Sequence, residues 1–520
     1  MKKLFTIILS FASIFCTTHI WAQSGAGENI NINNIDAMLR VTGDHFWDLV
    51  QSPRYEVPKG SRKHTIFASA LWMGGLENNN LHVAAMTYRQ AGSDFWPGPL
   101  DTLLGTIDVP NSEEWDKMWK VSQKQIDDFR QNKNNATDAI KTWPAHGNQS
   151  FGQAKYLAPF VDVDNDGIYD YTKGDYPKIK GDQTIWWVFN DQNLAHSETE
   201  GKALGVEIHA MAYAFSSKNT TLNNTIFLEY NVINRSQNNY NDVYLGLWTD
   251  FDIGYGFDDA IGCDSSLSAY FGYNADTFDE GSFGYGDNIP VQSVAFLKDS
   301  MQGFISYNND FTDNGNPENP EHYYRYTQGL LRSGASLINP QNNKNTKFQY
   351  SGNPLNTNEW SMRSPAQTKP KDKRGVGSTG PFELKRNKSL TFTFAYITTF
   401  KGTGSTDGNL KEMHNDIATV KNYYNQNLNT STAESQNPQE KTFTFSAYPN
   451  PANASLTLQW NNSGARNVRL VNMLGQTVWS QEIERFQTQI KVDTKHFPRG
   501  IYIAVIENGS QKAVTRVVLQ

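Results

Sequence analysis

The stretch TIWWVFND, from Thr184 to Asp191, places five apolar residues in a row between polar ends. Four more runs of this kind follow it: LGVEIHAMAYAF, NTIFLEYNVINRS, DVYLGLWTDF and VQSVAFL. Short runs rich in β-branched and aromatic residues, separated by Asn, Gly and Ser, are typical of strands. Their succession predicts a mainly β protein with an antiparallel β-sandwich domain over residues 184–427.

Two further segments belong to this domain. SLTFTFAYITTF, from Ser389 to Phe400, predicts another strand, and NLKEMHNDIATVKNYYNQN, which begins at Asn409, predicts a helix. Aromatic residues make up 13% of the 520 residues, which favours β-rich architecture. The length is sufficient for about two to four domains, each with a core of its own.

The N-terminus predicts export from the cytoplasm. Lys2 and Lys3 precede an apolar run from Leu4 to Phe15, and residues 1–22 therefore have the pattern of a signal peptide cleaved after Ala22. The alternative, a lipoprotein signal at Cys16, has Phe15 where a small residue is required. After residue 22 no run reaches the roughly 18 apolar residues of a membrane span, so none is predicted.

Charge and cysteine content exclude several classes of partner. The formal net charge of −7 becomes −9 without Lys2 and Lys3, because 44 basic residues then face 53 acids. This balance argues against nucleic acid and acidic lipid as partners. Only Cys263 follows the predicted signal, so the sequence predicts neither an internal disulfide nor a thiolate metal site.

Residues 23–183 predict an N-terminal α+β region. Ile66 to Trp72 and Leu81 to Tyr88, separated by a turn, have the pattern of a hairpin. PNSEEWDKMWKVSQKQIDDFRQN, residues 110–132, predicts one helix capped by Asn111 or Ser112. Its apolar residues lie near helical spacing, which indicates core packing: Trp115, Met118, Trp119, Ile126 and Phe129.

The segment VDVDNDGIYD, residues 161–170, has the spacing of a calcium loop. Alternating carboxylates around Gly167 allow the chain to wrap a hard cation that takes six to eight oxygen ligands. The predicted ligands are Asp162, Asp164, Asp166, Ile168 through its carbonyl, Asp170 and Asp175. An EF-hand has Glu at position 12, where this chain has Lys173.

The residues that flank the loop exclude the helices of an EF-hand, since Pro159 precedes it and Gly174 and Pro177 follow it. The loop resembles instead the DxDxDG loops of thrombospondin type 3 and dockerin-like modules. That resemblance implies a weakly bound structural calcium over residues 162–175, as in extracellular modules. A metal-free polar turn is the alternative.

A second acidic stretch, TDFDIGYGFDDAIGCD, follows the strand VYLGLW. Its weaker candidate metal ligands are Asp250, Asp252, Asp258 and Asp259, with Asp264 at its end. The spacing fits no standard motif, so a second cation site and a solvated loop remain open. A third interpretation is a glycoside hydrolase that uses Asp250 and Asp252 as paired carboxylates.

Residues 443–520 predict a compact module of alternating strands, after a polar linker over 428–442. YPNP (448–451), NMLGQTV (472–478) and GIYIAVIENG (500–509) occur there in this order. Together they closely resemble the C-terminal sorting domain of type IX secretion cargo in Bacteroidetes-type bacteria. The resemblance implies a small immunoglobulin-like β-sandwich that is recognised by the type IX secretion machinery.

This resemblance also implies a route. The protein would cross the periplasm and the outer membrane, and would end as a secreted protein or attached to surface lipopolysaccharide. The family often ends in a basic residue, whereas this chain ends in VVLQ. WPAHGN, GDYPKIKGDQTIWWVFND and GPFELKRNKSLTFTFAYITTF resemble a recurrent region of large cargo proteins of this pathway, for which no activity is implied.

The sequence thus predicts a secreted or cell-surface protein with a non-catalytic structural or adhesive role, whose ligand is a glycan or a protein. The alternative is a secreted glycoside hydrolase or a carbohydrate-binding protein. The sequence contains no HExxH, GxSxG or phosphate-binding glycine motif. None of these catalytic motifs therefore supports an enzymatic function.

Overall fold

The computed structural model divides the chain into two compact units, residues 1–430 and 431–520. It describes residues 25–50, 52–88, 92–364, 372–402, 404–429, 445–460, 467–473, 475–483, 489–508 and 511–520. The predicted signal peptide at 1–22, Cys16 within it and most of the predicted linker at 428–442 lie outside this part of the chain. Among the described residues, no helix is long and apolar enough to cross a membrane.

The first unit is built mainly from strands. In chain order they are β1 (Gly27–Ile30), β2 (Asp36–Arg40), β3 (Asp44–His45), β4 (Tyr55–Glu56), β5 (Ile66–Glu77), β6 (Asn80–Ala85), β7 (Trp96–Pro97), β8 (Trp119–Ser122), β9 (Phe160–Val161), β10 (Tyr176–Pro177), β11 (Gln183–Asn190), β12 (Val206–Ala214), β13 (Thr225–Asn234), β14 (Tyr240–Phe251), β15 (Asp259–Asp264), β16 (Ala269–Asn274), β17 (Val291–Phe296), β18 (Gly303–Asn308), β19 (Leu337–Asn339), β20 (Lys344–Thr346), β21 (Lys373–Leu384) and β22 (Ser389–Thr399).

Helices are fewer and mostly short. They are α1 (Val109–Glu114), α2 (Gln123–Gln131), α3 (Asp138–Lys141), α4 (Thr220–Asn223), α5 (Pro320–Thr327) and α6 (Thr406–Tyr423), with 3₁₀ turns at Lys133–Asn135 and Gln149–Phe151 and a π-helical turn at Tyr424–Leu428. The helix predicted from Asn409 is confirmed as α6, which buries Leu410, Met413, Ile417 and Val420 at helical spacing.

Two large antiparallel sheets form the body of this unit. The larger has the order β15-β16-β17-β22-β13-β12-β11-β7, with β8 also paired to β11. The smaller has the order β18-β21-β14-β5-β3, with β6 paired to β5. Polar contacts join the facing sides: His45 Nε2 lies 2.7 Å from Tyr230 Oη, and Thr249 Oγ1 lies 2.8 Å from Tyr270 Oη. The prediction of a mainly β, antiparallel sandwich is confirmed.

Strand β11, which contains TIWWVFN of residues 184–190, is buried along its whole length. Successive side chains of a strand point to opposite faces. Trp187 lies toward the smaller sheet, 5.7 Å from the ring of His45. Trp186 lies toward the other side, where its ring is 6.0 Å from Trp119 and 6.3 Å from Trp143. Trp119 belongs to β8 of the same sheet, whereas Trp143 follows α3 and packs on Trp186 from outside the sheet. The larger sheet therefore has an outer layer, which is formed here by the segments on either side of β8.

The prediction of one helix over 110–132 is wrong. The segment is instead α1, then strand β8, then α2. Trp119 pairs with Trp186 in β11, and the alternating burial of Trp119 and Val121 shows the strand period. Asp108 caps α1 and Ser122 caps α2, so neither Asn111 nor Ser112 is the cap.

The hairpin predicted at residues 66–88 is confirmed as β5 and β6, with its turn at Asn78 and Asn79. Strands on both sides of residue 183 belong to one sheet, because β7 and β8 pair with β11. The sheet thus continues across the predicted boundary between the N-terminal region and the sandwich.

The second unit contains two small antiparallel sheets. Its strands are β23 (Phe445–Tyr448), β24 (Ser455–Trp460), β25 (Asn467–Asn472), β26 (Thr477–Glu482), β27 (Gln489–Asp493), β28 (Gly500–Asn508) and β29 (Gln511–Leu519). The sheet orders are β23-β24-β27 and β26-β25-β28-β29. Their apolar residues form one core that includes Leu458, Leu470 and Val517. This arrangement is consistent with the predicted immunoglobulin-like sandwich.

We expect Trp187→Ala to destabilise the first unit strongly. The side chain is 0% exposed, so its removal leaves a cavity between the two sheets. Substitution of a buried aromatic residue by Ala costs about 3 to 5 kcal/mol. Urea unfolding followed by far-UV circular dichroism measures the loss. Leu194→Ala is the control, since Leu194 is 53% exposed and its replacement should leave the midpoint unchanged.

Candidate metal centre

Two paired strands of two residues each close the loop of residues 162–175. Strand β9 pairs with β10, with Val161 opposite Tyr176. Just before β9, the carbonyl of Pro159 accepts hydrogen bonds from Trp143 Nε1 at 3.0 Å and from the backbone N–H of Lys178 at 3.0 Å. The base of the loop is therefore fixed to the outer layer of the sandwich.

Asp175 holds the two arms of the loop together. It is 0% exposed. Its Oδ1 accepts a hydrogen bond from the backbone N–H of Val163 at 2.8 Å, and its Oδ2 accepts one from that of Asp170 at 2.9 Å. Both oxygens are therefore used by the backbone, and Asp175 organises the loop from beneath.

The tight turn of the loop is centred on Gly167, whose φ is +74°. A positive φ is the conformation that glycine adopts at little cost. Asp162 Oδ2 accepts a hydrogen bond from the N–H of Gly167 at 2.7 Å, and Asp166 Oδ1 accepts one from the N–H of Ile168 at 2.8 Å. These bonds turn the carboxylates toward the inside of the loop.

Three predicted ligands converge. One carboxylate oxygen from each of Asp162, Asp164 and Asp166 lies within 4.8 Å of the other two. Asp162 Oδ1 is buried and has no hydrogen-bond partner among the described residues. The predicted carboxylate ligands Asp170 and Asp175 are not part of this group. Asp170 Oδ1 accepts hydrogen bonds from the N–H of Thr172 at 2.9 Å and from its hydroxyl at 2.6 Å.

Lys173 pairs with two of these three carboxylates. Its Nζ lies 3.1 Å from Asp164 Oδ2 and 2.5 Å from Asp166 Oδ2. The hydrogen bond from Lys173 lowers the pKa of Asp166, and the two bonds to Asp166 and Asp164 raise the pKa of Lys173. Position 12 of the loop thus supplies a positive charge where an EF-hand supplies a bidentate carboxylate.

The second acidic stretch contributes one residue to a different group. Asp258 lies with Asp276 and Glu280, and one carboxylate oxygen from each is within 4.8 Å of the others. Asp276 and Glu280 are not among the ligands that the sequence predicts. The β15–β16 hairpin places Asp259 opposite Asn274, so the acidic run after β16 returns to Asp258. The signal for Asp276 and Glu280 in the sequence is the β15–β16 hairpin, whose pairing brings the residues after β16 next to Asp258.

The other predicted ligands of that stretch, Asp250, Asp252 and Asp259, are not part of this carboxylate group. Asp250 Oδ2 accepts a hydrogen bond from Tyr88 Oη at 2.5 Å, and its Oδ1 lies 3.5 Å from Arg374 Nε. Burial raises the pKa of Asp250 to about 6, and burial with the nearby charge of Asp250 raises the pKa of Asp252. Asp259 Oδ2 accepts the N–H of Ile253 at 2.8 Å.

Two of the three motifs of the second unit, YPNP and NMLGQTV, make hydrogen bonds that connect its strands and turns. Asn450, in YPNP, donates from Nδ2 to the carbonyl of Arg516 at 2.6 Å and accepts at Oδ1 from the N–H of Val518 at 2.8 Å. In NMLGQTV, Asn472 Oδ1 accepts the N–H of Gln476 at 2.9 Å. The motifs thus fix the first strand of the unit to its last and close the β25–β26 turn.

Comparison with solved structures gives a distant similarity. A polysaccharide lyase aligns at 9% sequence identity with a TM-score of 0.20, over 71% of this chain. The alignment spans 37% of the length of that protein. No curated protein matches the chain.

Comparison with protein families identifies the second unit. The family model described as the secretion system C-terminal sorting domain matches residues 446–520. The match contains all three motifs quoted for the resemblance, and the predicted sorting domain is confirmed. The chain therefore carries a type IX secretion sorting domain at its C-terminus, which supports its assignment as an exported cargo protein of that pathway.

Proposed function

We propose that this cargo protein is a non-catalytic structural or adhesive protein whose first unit is stabilised by calcium in the loop 162–175. After export it is secreted or displayed on the outer cell surface. The observation that carries the calcium assignment is the convergence of three carboxylates, one of which has a buried oxygen, Asp162 Oδ1, that lacks a hydrogen-bond partner among the described residues.

The residues present fit calcium by their chemistry. All three converging side chains, Asp162, Asp164 and Asp166, offer carboxylate oxygens, which hard divalent cations prefer. Carboxylates this close together repel one another, and the single ammonium group of Lys173 leaves the three of them with a net negative charge that favours a cation. The backbone hydrogen bonds to Asp175 hold the loop in a ring, so the ligands are arranged before the ion binds.

Lys173 limits the affinity. Its ammonium group already pairs with Asp164 and Asp166, so a calcium ion must displace it. Such competition fits weak binding of the extracellular class, with Kd of about 10⁻⁴ to 10⁻³ M. Calcium is abundant outside the cell, so weak binding suffices for stabilisation and does not suit a sensor.

The rival role, a glycoside hydrolase that uses Asp250 and Asp252, has less support. A raised pKa such as that of Asp250 is a property of catalytic acids. Asp250, however, is 4% exposed and is held by Tyr88 and Arg374, which is the environment of a structural ion pair. A structural role for Asp250 is therefore the better interpretation.

The proposed route begins with cleavage of the predicted signal peptide after Ala22 and passage through the periplasm. The type IX machinery then recognises residues 446–520. We propose release or attachment to surface lipopolysaccharide as the final step, and a glycan or a protein as the adhesive ligand. The group Asp258, Asp276 and Glu280 is proposed only as a second, weaker cation site.

Calcium at about 10 mM should raise the Tm of the first unit by about 2 °C, and a chelator should reverse the change. Asp164→Asn should abolish the increase, because it removes a converging carboxylate. Lys173→Gln should shift the calcium titration to severalfold lower concentration, because it removes the competing ammonium group. Differential scanning calorimetry across a calcium titration measures all three.

Asp138→Asn is the matched control, because the Asp138 side chain is 98% exposed and lies outside the loop. It should respond to calcium as the unsubstituted protein does. An identical Tm with calcium and with chelator in the unsubstituted protein would exclude a stabilising ion. A response that persists in Asp164→Asn would move the ion away from this loop.

Deletion of residues 443–520 should leave the protein in the periplasm, because the domain that the export machinery recognises is then missing. Cell fractionation with immunoblotting measures the distribution between periplasm, surface and medium. A reporter protein fused to the signal peptide and residues 428–520 is the reciprocal test and should reach the surface or the medium. Export of the truncated chain at the normal level would refute the sorting role.

A further inference from the structure

An aromatic cleft lies in the outer layer of the first unit, next to the loop 162–175. Its volume is about 470 Å³, within the range of small-molecule sites. Its walls come from five aromatic residues of separate segments, namely Trp115 after α1, Trp119 in β8, Trp143 after α3, Phe151 in a 3₁₀ turn and Tyr169 in the loop. Convergence of rings from so many segments makes this a built cavity.

The rings are held in fixed orientations. Trp119 Nε1 lies 3.2 Å from Thr142 Oγ1, and Trp143 Nε1 donates to the carbonyl of Pro159 at 3.0 Å. Both rings also pack against Trp186 of the larger sheet. Their polar edges are thus engaged within the protein. Trp119 and Trp143 are 6% and 4% exposed, so the ring surface that a ligand meets belongs mainly to Trp115, Phe151 and Tyr169.

Polar groups of both kinds surround this apolar surface. The cleft is lined by the amides of Asn148 and Gln153, the ammonium groups of Lys117 and Lys141, and the carboxylate of Glu114. All of these except Gln153 are exposed. Asn148 Oδ1 already accepts two hydrogen bonds from Ser150, so the charged groups of Glu114, Lys117 and Lys141 are the main polar groups at the cleft. Amides and charged groups in this mixture donate and accept hydrogen bonds from several directions.

We propose that the cleft binds a saccharide. A pyranose ring combines an apolar C–H face, which packs on an aromatic ring, with hydroxyl groups around its edge, which donate and accept hydrogen bonds. The accessible rings of Trp115, Phe151 and Tyr169 and the polar groups beside them match these two features. Since two ammonium groups face one carboxylate, the ligand is a neutral or an acidic sugar and not a cationic one.

The cleft binds and does not hydrolyse. Among the described residues that line it, Glu114 is the sole carboxylate, whereas glycoside hydrolysis in its usual form requires two. A saccharide site without the second carboxylate fits the adhesive role. This inference rests on the proposed function and names the class of its ligand.

The cleft and the calcium loop share residues. Tyr169 lines the cleft, and its backbone N–H donates to His146 Nε2 at 2.8 Å, while His146 Nδ1 lies 2.8 Å from the carbonyl of Lys155. Burial lowers the pKa of His146, which keeps the ring neutral and able to accept that bond. The wall of the cleft is thus continuous with the loop that holds the proposed ion.

Isothermal titration calorimetry of the full exported chain, in calcium-containing buffer, tests the proposal. The probes are hexasaccharides of β-linked glucose, xylose and mannose for neutral sugars, and of galacturonate for acidic ones. We expect saturable binding to at least one of them. Phe151→Ala and Trp115→Ala should each weaken it about tenfold, because each removes one stacking surface. Phe151 is 47% exposed, so its replacement should not affect folding.

Phe257→Ala is the matched control, since Phe257 is an exposed aromatic residue that does not line the cleft. It should retain full affinity. Absence of saturable binding to every probe, or unchanged affinity in both cleft variants, overturns the proposal. Tighter binding of a tryptophan-rich peptide or of ATP than of any saccharide overturns it as well. A Tm increase with calcium but no saccharide binding refutes only the cleft assignment, and the reverse result refutes only the calcium assignment.

Discussion

The burial of β11 on both of its faces is the constraint on which the first unit depends. Trp186 and Trp187 are neighbours in the chain, so their side chains must point to opposite sides of the sheet. Trp187 fills the space between the two sheets, beside His45. Trp186 requires cover on the other side, which Trp143 supplies together with Trp119, the residue opposite Trp186 in the paired strand β8. A strand so apolar on both faces is stable only between two layers.

That requirement also positions both proposed sites. Trp143 packs on Trp186 and donates a hydrogen bond to Pro159, the residue just before the hairpin that closes the acidic loop. Trp119 and Trp143 also line the aromatic cleft. The loop and the cleft are therefore both positioned by residues that pack against the larger sheet.

The sequence predicted most of the fold, because the strands carry strong local signals. It predicted the loop 162–175 from spacing alone, and Asp162, Asp164 and Asp166 converge. It failed where pairing overrode local pattern. Trp119 lies near helical spacing, yet it forms a strand because β11 offers it a hydrogen-bonding edge. Asp276 joins Asp258 through a hairpin register that spacing within one segment does not contain.

Lys173 explains why the acidic loop is folded and yet suited to a weakly bound ion. Its ammonium group offsets the repulsion between Asp164 and Asp166, and the backbone bonds of Asp175 close the ring. The loop therefore does not require an ion in order to form. At the site that we propose, a calcium ion would gain carboxylate ligands but would have to displace an existing ion pair, so its net contribution would be small. Such a site would be filled only where calcium is steadily supplied, and the sorting domain indicates export to the outside of the cell.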